Sequence, residues 1–154
     1  MDNSVISVII EPGIMYKFLD NVATADVAFE VESDNLDQLF SESAQVLFQV
    51  MADLSAVESK VDKVVELDAD SVDKLLFDWL SELVYLKDKD YFLFSKFEVN
   101  IVGNGKFSLK AHLQGEPINL DRHNLKVDVK AVTYHMFYLK KENGLWRARI
   151  VLDI

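Results

Sequence analysis

The sequence predicts a single α+β domain in which two long helices pack on one face of a mainly antiparallel β-sheet. Three features lead to this prediction. Two segments have apolar residues at helical spacing, alternating apolar and polar segments precede each helix, and the second half consists of such alternating segments joined by glycine turns. The chain has 154 residues, half of them hydrophobic, which suffices for one domain with a buried core.

The first strands are predicted ahead of the first helix. Residues 5–10 form a short apolar segment, which Glu11-Pro12-Gly13 ends. Residues 14–19 are apolar-rich and lead into a turn. Residues 27–32 alternate between apolar and polar side chains, as expected of a half-buried strand.

Helical periodicity then marks two segments. The first helix is predicted over residues 35–53, with Asp34 accepting hydrogen bonds from its first backbone N–H groups. A strand is expected over residues 60–70. The pair Asp70-Ser71 is predicted to cap a second helix that ends near Leu86.

The second half is predicted to be a β-meander. Gly103-Asn104-Gly105 and Glu142-Asn143-Gly144 are typical of hairpin turns. The polar stretch 115–126 is long for a hairpin loop, and loops of this length are often functional. The strands are expected at residues 91–102, 106–114, 127–139 and 145–152.

The composition excludes several functional classes. The chain carries 16 basic and 26 acidic residues, for a net charge of −10, and it has no cysteine. Disulfides, thiolate metal sites and a cysteine nucleophile are thereby excluded. Without a cluster of basic residues, direct binding of nucleic acid is not expected, and metal cations or basic protein surfaces are the favoured partners. No apolar run approaches the length of a membrane span, and a cytoplasmic protein is predicted.

Catalytic signatures are nearly absent. The sequence has no glycine-rich phosphate loop and no nucleophile elbow. Its histidines, His112, His123 and His135, are far apart. Two acidic residues stand out by position, because Asp26 directly precedes a strand and Asp153 lies in the apolar C-terminal segment. Asp153 could simply face water at a strand end. Alternatively, Asp153, the terminal carboxylate and Asp26 could form an oxygen-only site for Ca²⁺ or Mg²⁺.

Lys130 belongs to an alternating segment. The pattern predicts that Lys130, Val132 and Tyr134 share one face of a strand, with Val129 on the other. The lysine could extend to water along the sheet surface. It could instead lie near the acidic residues or on a surface that a partner contacts.

Several segments together resemble the archease family, small acidic proteins that assist tRNA-splicing RNA ligation. The resemblance covers residues 14–154, and its most specific parts are the strand Lys130-Ala131-Val132-Thr133-Tyr134-His135 and the terminal Asp153-Ile154. Residues 1–13 would be an N-terminal extension that could form an edge strand. The other matching segments are Tyr16–Asp20, Thr24–Val27, Asp34–Phe40, Leu47–Met51, Leu75–Leu86, Phe94–Phe97, Gly115–Pro117 and Arg122–His123.

The resemblance implies a function and a site. Similar proteins bind a divalent cation, typically calcium, through residues that match Asp26, Asp153 and Ile154, the last through its terminal carboxylate; Mg²⁺ or Mn²⁺ are alternatives. They are not enzymes, but activators of the RNA ligase that joins 2′,3′-cyclic phosphate or 3′-phosphate ends to 5′-hydroxyl ends. They promote guanylylation of the ligase and its multiple turnover. Lys130 matches a lysine implicated in that activation.

Two other functions fit the residues. The chain could be a chaperone or protein-binding module in which the metal site is structural. It could also be a metal-assisted hydrolase using Asp26, Asp153 and His135, although no general base or nucleophile is evident.

The segment Asp20–Ala28 departs from the family pattern Asp-His-Thr-Ala-Asp-Val-Gly, because it is longer, lacks the histidine and has alanine in place of the final glycine.

Overall fold

A computed structural model of the chain describes residues 5–11, 14–19 and 26–154, with side chains at 16–18 and 26–154. Three segments considered above lie outside the described residues. They are the first four residues, the predicted break at Pro12-Gly13, and the segment 20–25 that leads to Asp26.

The predicted class, two helices packed on antiparallel β-structure in one domain, is confirmed. In chain order the elements are β1 (Val5–Glu11), β2 (Ile14–Leu19), β3 (Asp26–Ser33), α1 (Leu36–Met51), a short 3₁₀ turn (Leu54–Ala56), β4 (Val61–Ala69), α2 (Val72–Asp90), β5 (Phe92–Asn104), β6 (Lys106–Pro117), β7 (Ala131–Glu142) and β8 (Leu145–Asp153). None of the helices in the described ranges is long and apolar enough to cross a membrane.

The strands divide between two antiparallel sheets. One has the order β1-β2-β3-β8-β7, and the other has the order β4-β6-β5. Helix α1 packs on β5 and β3, and α2 packs on β7 and β4, so each helix contacts both sheets. The core is mainly aliphatic and includes several aromatic side chains. The indole Nε1 of Trp79 donates to the carbonyl oxygen of Phe40 at 3.0 Å, which joins α2 to α1.

The two faces of the larger sheet differ in character. Phe29 and Val31 of β3, and Ile150 and Leu152 of β8, belong to the hydrophobic core. Because side chains alternate along a strand, the residues between them point to the opposite face. These are Asp26, Ala28, Glu30 and Glu32 on β3, and Arg147, Arg149, Val151 and Asp153 on β8.

The helix ends differ from the prediction in detail. Asn35, not Asp34, caps α1, since its Oδ1 accepts from the amide of Gln38 at 3.1 Å. Ser71 caps α2 as predicted. Helix α2 runs to Asp90, past the predicted end at Leu86, because Lys87 is buried and Tyr91 forms a left-handed C-cap.

The predicted strand 127–139 is shifted. Strand β7 begins only at Ala131, and its alternation breaks at a bulge. It advances five residues from Thr133 to Tyr138 while β8 advances two, from Val151 to Arg149. Met136, within the bulge, adopts a left-handed conformation with φ of 56°. The alternation predicted for residues 127–139 therefore does not describe which side chains of β7 are buried.

The predicted turns are confirmed. Strands β5 and β6 form a hairpin around Gly105. Asn143 and Gly144 join β7 to β8 with φ of 53° and 78°. Two successive positive φ angles match the type I′ turn that favours Asn-Gly between twisted strands.

We expect Gly115→Ala to lower the free energy of unfolding by about 2 kcal/mol. A Cβ at Gly115 would overlap the carbonyl oxygen of Leu93 and crowd Cα of Phe94, so the β5–β6 ladder would have to shift. Urea denaturation measures the loss. Gly105→Ala is the control, since its Cβ would meet nothing within 4 Å and only its positive φ opposes the substitution. A loss below about 0.5 kcal/mol in Gly115→Ala would contradict the overlap.

Candidate functional site

One end of the larger sheet brings together three residues that are far apart in the sequence. Asp26 is the first residue of β3, and it lies directly opposite Asp153, the last residue of β8. Ala131, the first residue of β7, lies opposite Asp153 on the other side. Directly opposite residues of an antiparallel pair project to the same face. Both carboxylates therefore project from one face at one sheet end.

This pairing places two acidic side chains side by side. Directly opposed residues in such a ladder have Cβ atoms about 4.5–5.5 Å apart, and like charges there are destabilising. Asp26 and Asp153 are both half-buried. Within the described part of the chain, neither carboxylate has a cationic side chain within 4.0 Å. The arrangement is one that an added cation would stabilise.

Lys130 lies next to this pair. Its backbone N–H donates to the carbonyl oxygen of Asp153 at 2.8 Å. Its side chain is exposed. The ammonium forms no ion pair with the described side chains, so it remains available to a partner or a ligand.

The donor set suits a hard divalent cation. Ile154, which follows Asp153, is half-buried and packs against the core. The two aspartates provide only carboxylate oxygens, which Ca²⁺ and Mg²⁺ prefer. Among the described residues, no three histidine, aspartate or glutamate side chains are grouped to hold a metal. A cation here would therefore need further ligands besides the described side chains.

The histidines do not join this group. His112 is exposed on β6 of the smaller sheet, and His135 is exposed in the β7 bulge. His123 is 4% exposed in the loop after β6. The third member of the hypothetical hydrolase site, His135, is thus not part of a metal-binding group among the described residues.

A network of charged residues covers the same face of the sheet. Glu30 lies 3.3 Å from the ammonium of Lys17 and accepts a hydrogen bond from Tyr138 at 2.5 Å. Burial opposes ionisation of Glu30, but the bonds from Tyr138 and Lys17 outweigh it and lower its pKa. Burial and the bond to Glu30 raise the pKa of Tyr138 to about 12. Arg149 lies 3.6 Å from Glu30, so the charges of this network are internally compensated, unlike those of Asp26 and Asp153.

Lys87 and Glu116 are among the buried charged residues, and their burial was not predicted. Lys87 is 5% exposed and Glu116 is 2% exposed. A signal for Lys87 existed in the sequence, since it lies four residues after Leu83 and seven after Leu80, on the apolar stripe of α2. For Glu116 there was none, because its partners come from a loop without periodicity.

The sequence is similar to those of a known protein family. The family model of the Archease protein family matches residues 16–154. The chain is 35% identical to the archease of Methanosarcina mazei over 144 residues, covering 92% of this chain and 97% of the relative. It is 37% identical to the archease of Methanothermobacter thermautotrophicus over 140 residues, covering 90% and 98%.

Two solved structures are similar. The solution structure of Methanobacterium thermoautotrophicum protein 1598 superposes with a TM-score of 0.79 at 36% identity, covering 90% of this chain and 98% of that one. The crystal structure of a Thermotoga maritima protein, described as an archease and possible chaperone, has a TM-score of 0.58 at 15% identity, covering 86% and 93%. This second similarity concerns the fold alone.

Proposed function

Because the chain belongs to the Archease protein family, we propose that it is an accessory protein of an RNA ligase that uses a divalent cation held by Asp26, Asp153 and the terminal carboxylate of Ile154. The observation that carries this proposal is the direct pairing of Asp26 with Asp153 at the end of the larger sheet. Two uncompensated carboxylates there, beside the chain terminus, are an arrangement that a cation stabilises.

In this proposal the chain's own residues bind and orient, and the ligase does the chemistry. The bound cation would supply a concentrated positive charge able to bridge to anionic groups of the ligase or its nucleotide. Asp26 and Asp153 hold the cation on one face of the sheet. Lys130, whose backbone bonds to Asp153, offers an exposed ammonium suited to an anionic group of the partner. The outcome would be faster guanylylation of the ligase and repeated turnover.

The overall charge favours such a partner. A net charge of −10 gives long-range attraction to a basic, RNA-binding enzyme and speeds encounter at low ionic strength. The same charge opposes direct binding of an RNA backbone. The proposal therefore places the chain on the protein and not on the RNA, in the cytoplasm where such a ligase would act.

A chaperone role is the second candidate. It draws on the description of the Thermotoga maritima relative as a possible chaperone and on two exposed apolar side chains, Leu120 at 77% and Tyr91 at 71%. In that case the chain would suppress aggregation of unrelated proteins, and the Asp26–Asp153 pair would be structural. Suppression of aggregation that survives loss of Asp153 would favour it over the ligase role.

We expect Lys130→Ala to lower activation of the ligase on the order of tenfold or more, because the ammonium that meets the partner is lost. Binding of Ca²⁺, measured by isothermal titration calorimetry, should change little, since no metal ligand is removed. The assay is multiple-turnover joining of a cleaved RNA by the ligase with GTP and Mn²⁺.

Lys126→Ala is the matched control for this variant. Lys126 lies in the same segment, and its backbone amide, which bonds to Met51, is retained. Its ammonium makes only a 3.5 Å contact with the carbonyl oxygen of Gln49. Equal losses in the two variants would argue for general charge attraction, and normal activation by Lys130→Ala would exclude the assigned role.

A further inference from the structure

Lys87 is a buried lysine that the proposed function does not use. It lies in the last turn of α2, and its side chain is only 6% exposed. Its Nζ lies 2.6 Å from Oδ1 of Asp128 and 2.5 Å from Oδ1 of Asp88, and it donates to the carbonyl oxygen of Val129 at 2.9 Å. A buried ammonium is costly unless it is fully paired. The pairing of Lys87 therefore favours a fixed position for the Asp128 carboxylate and the Val129 carbonyl.

The segment that carries Lys130 is held in place by a few isolated contacts. Residues 126–130 precede β7 and belong to no helix or strand. The amide of Lys126 donates to the carbonyl oxygen of Met51 at 2.8 Å. The side chain of Val129 is fully buried in the core. Without a ladder of hydrogen bonds, the direction of the chain between these anchors is set by few interactions.

One peptide unit connects Lys87 to the candidate site. The carbonyl of Val129 accepts from Lys87, and the N–H of the same peptide unit, which belongs to Lys130, donates to the carbonyl oxygen of Asp153 at 2.8 Å. A peptide unit is planar, so holding both its polar groups fixes its orientation. Hydrogen bonds in series also polarise and strengthen one another.

We infer that Lys87 is a positioning residue, which holds the peptide unit between Val129 and Lys130 against Asp153 and thereby sets the place of Lys130 beside the two carboxylates. Lys87 itself contacts Asp88, Asp128 and Val129, and not the carboxylates of the site. The inference rests on the proposed function for the importance of Lys130. The geometry that it assigns to Lys87 can be measured without any ligase.

The test is the variant Lys87→Met. Methionine fills the space of the lysine stem and removes the ammonium. The side chains of Asp128 and Asp88, which pair with Lys87, are 71% and 55% exposed, so both return to water and neither is left as a buried unpaired charge. The matched control is Lys89→Met, which removes the same charge from the same helical turn at an exposed position. Lys87→Arg restores a cationic donor, and Lys87→Gln is the second variant if Lys87→Met does not fold.

The decisive readout is amide hydrogen exchange followed by NMR. In Lys87→Met we expect the exchange rate of the Lys130 amide to rise about tenfold or more, the value of one charge-assisted hydrogen bond. The amide of Ile150, in the core strand β8, should keep its rate. Lys89→Met should leave both amides unchanged, and Lys87→Arg should restore part of the protection. If Lys87 only stabilises the fold, its loss should raise the exchange rates of amides throughout the chain, and this result would overturn the inference. An unchanged exchange rate of the Lys130 amide would also overturn it.

The ligation assay is run with the same proteins. If the wild type activates the ligase, Lys87→Met should lose activation about as far as Lys130→Ala does, with Ca²⁺ affinity changed less. Full activation by Lys87→Met would overturn the positioning role. If the wild type does not activate, the proposed function fails, and the exchange rates alone decide whether Lys87 holds the peptide unit.

Discussion

Asp153→Asn is expected to weaken binding of Ca²⁺ about a hundredfold and to abolish activation of the ligase, because one of the two side-chain carboxylates of the site is lost. In metal-free protein the same substitution should raise the free energy of unfolding by about 0.5 kcal/mol, since it removes one of two like charges placed directly opposite each other. Opposite signs in the two experiments would be specific to a metal site, because a residue with a purely structural role would not give both.

Calorimetric titration with Ca²⁺ and thermal unfolding with and without Ca²⁺ measure these effects. Asp34→Asn is the control, since Asp34 is an exposed acid at the other end of β3. It should bind Ca²⁺ and activate the ligase as the wild type does. Wild-type affinity in Asp153→Asn would exclude the assignment of the site. If Asp153→Asn loses affinity for Ca²⁺ but still activates the ligase normally, the metal is not required for the accessory role.

Glu116→Ala is expected to lower the free energy of unfolding by about 3 kcal/mol, because it removes a buried acceptor of several hydrogen bonds. The Arg122 side chain is 35% exposed, so its guanidinium can turn to water. Glu116 is 2% exposed and accepts from the guanidinium of Arg122 through both of its oxygens. The amide of Glu58 also donates to it. Nε2 of His123 lies 3.1 Å away, and since Nδ1 of His123 accepts from the amide of Asn119, Nε2 carries the proton that faces Glu116.

The loss should be measured by chemical denaturation. The control is Glu66→Ala on β4, an exposed glutamate whose only ion pair, among the described residues, is a 3.9 Å contact with Lys110. Such surface pairs contribute about 0–1 kcal/mol. Similar losses in the two variants would show that the ion pair of Glu116 contributes no more than a surface contact.

The same carboxylate makes stability depend on acid pH. The hydrogen bonds from Arg122 hold the pKa of Glu116 well below its ordinary value of 4.5, against the opposing effect of burial. An acid with a depressed folded-state pKa stabilises the fold fully above its unfolded pKa, and this contribution is lost as the pH falls toward the folded value. Below about pH 4.5 the wild type should therefore lose stability more steeply than Glu116→Ala. If the free energy of unfolding falls equally with pH in the wild type and in Glu116→Ala, Glu116 is not the cause of the acid sensitivity.

Local sequence signals determined much of the fold. The apolar stripes of α1 and α2 arise from side chains spaced at the helical period, and Ser71 could be recognised as a cap from its position ahead of one stripe. The Asn143-Gly144 turn needs two positive φ angles, which few other residues adopt without strain. These features depend on residues near one another in the chain, so they can be predicted without knowledge of the tertiary structure.

Long-range interactions decided the rest. The division into two sheets follows from which strands pair, and β3 pairs with β8 across more than a hundred residues. Strand β7 starts only at Ala131 and is interrupted by a bulge, so the period of two fails there. Lys130, Val132 and Tyr134 do not share one face as predicted. Val132 is buried, whereas the other two are exposed. The ion pairs of Glu116 and Lys87 join residues whose partners carry no periodic signal.

The candidate site shows both contributions. The sequence by itself predicted a strand directly after Asp26 and placed Asp153 in an apolar C-terminal segment. The family resemblance implied that Lys130 acts with them. Only the tertiary structure decided that Asp26 lies directly opposite Asp153 and that the Lys130 amide bonds to Asp153. The physical reason is that strand register is set by the burial of whole strand faces, here Phe29 and Ile150 in the core, and a single local segment does not contain that information.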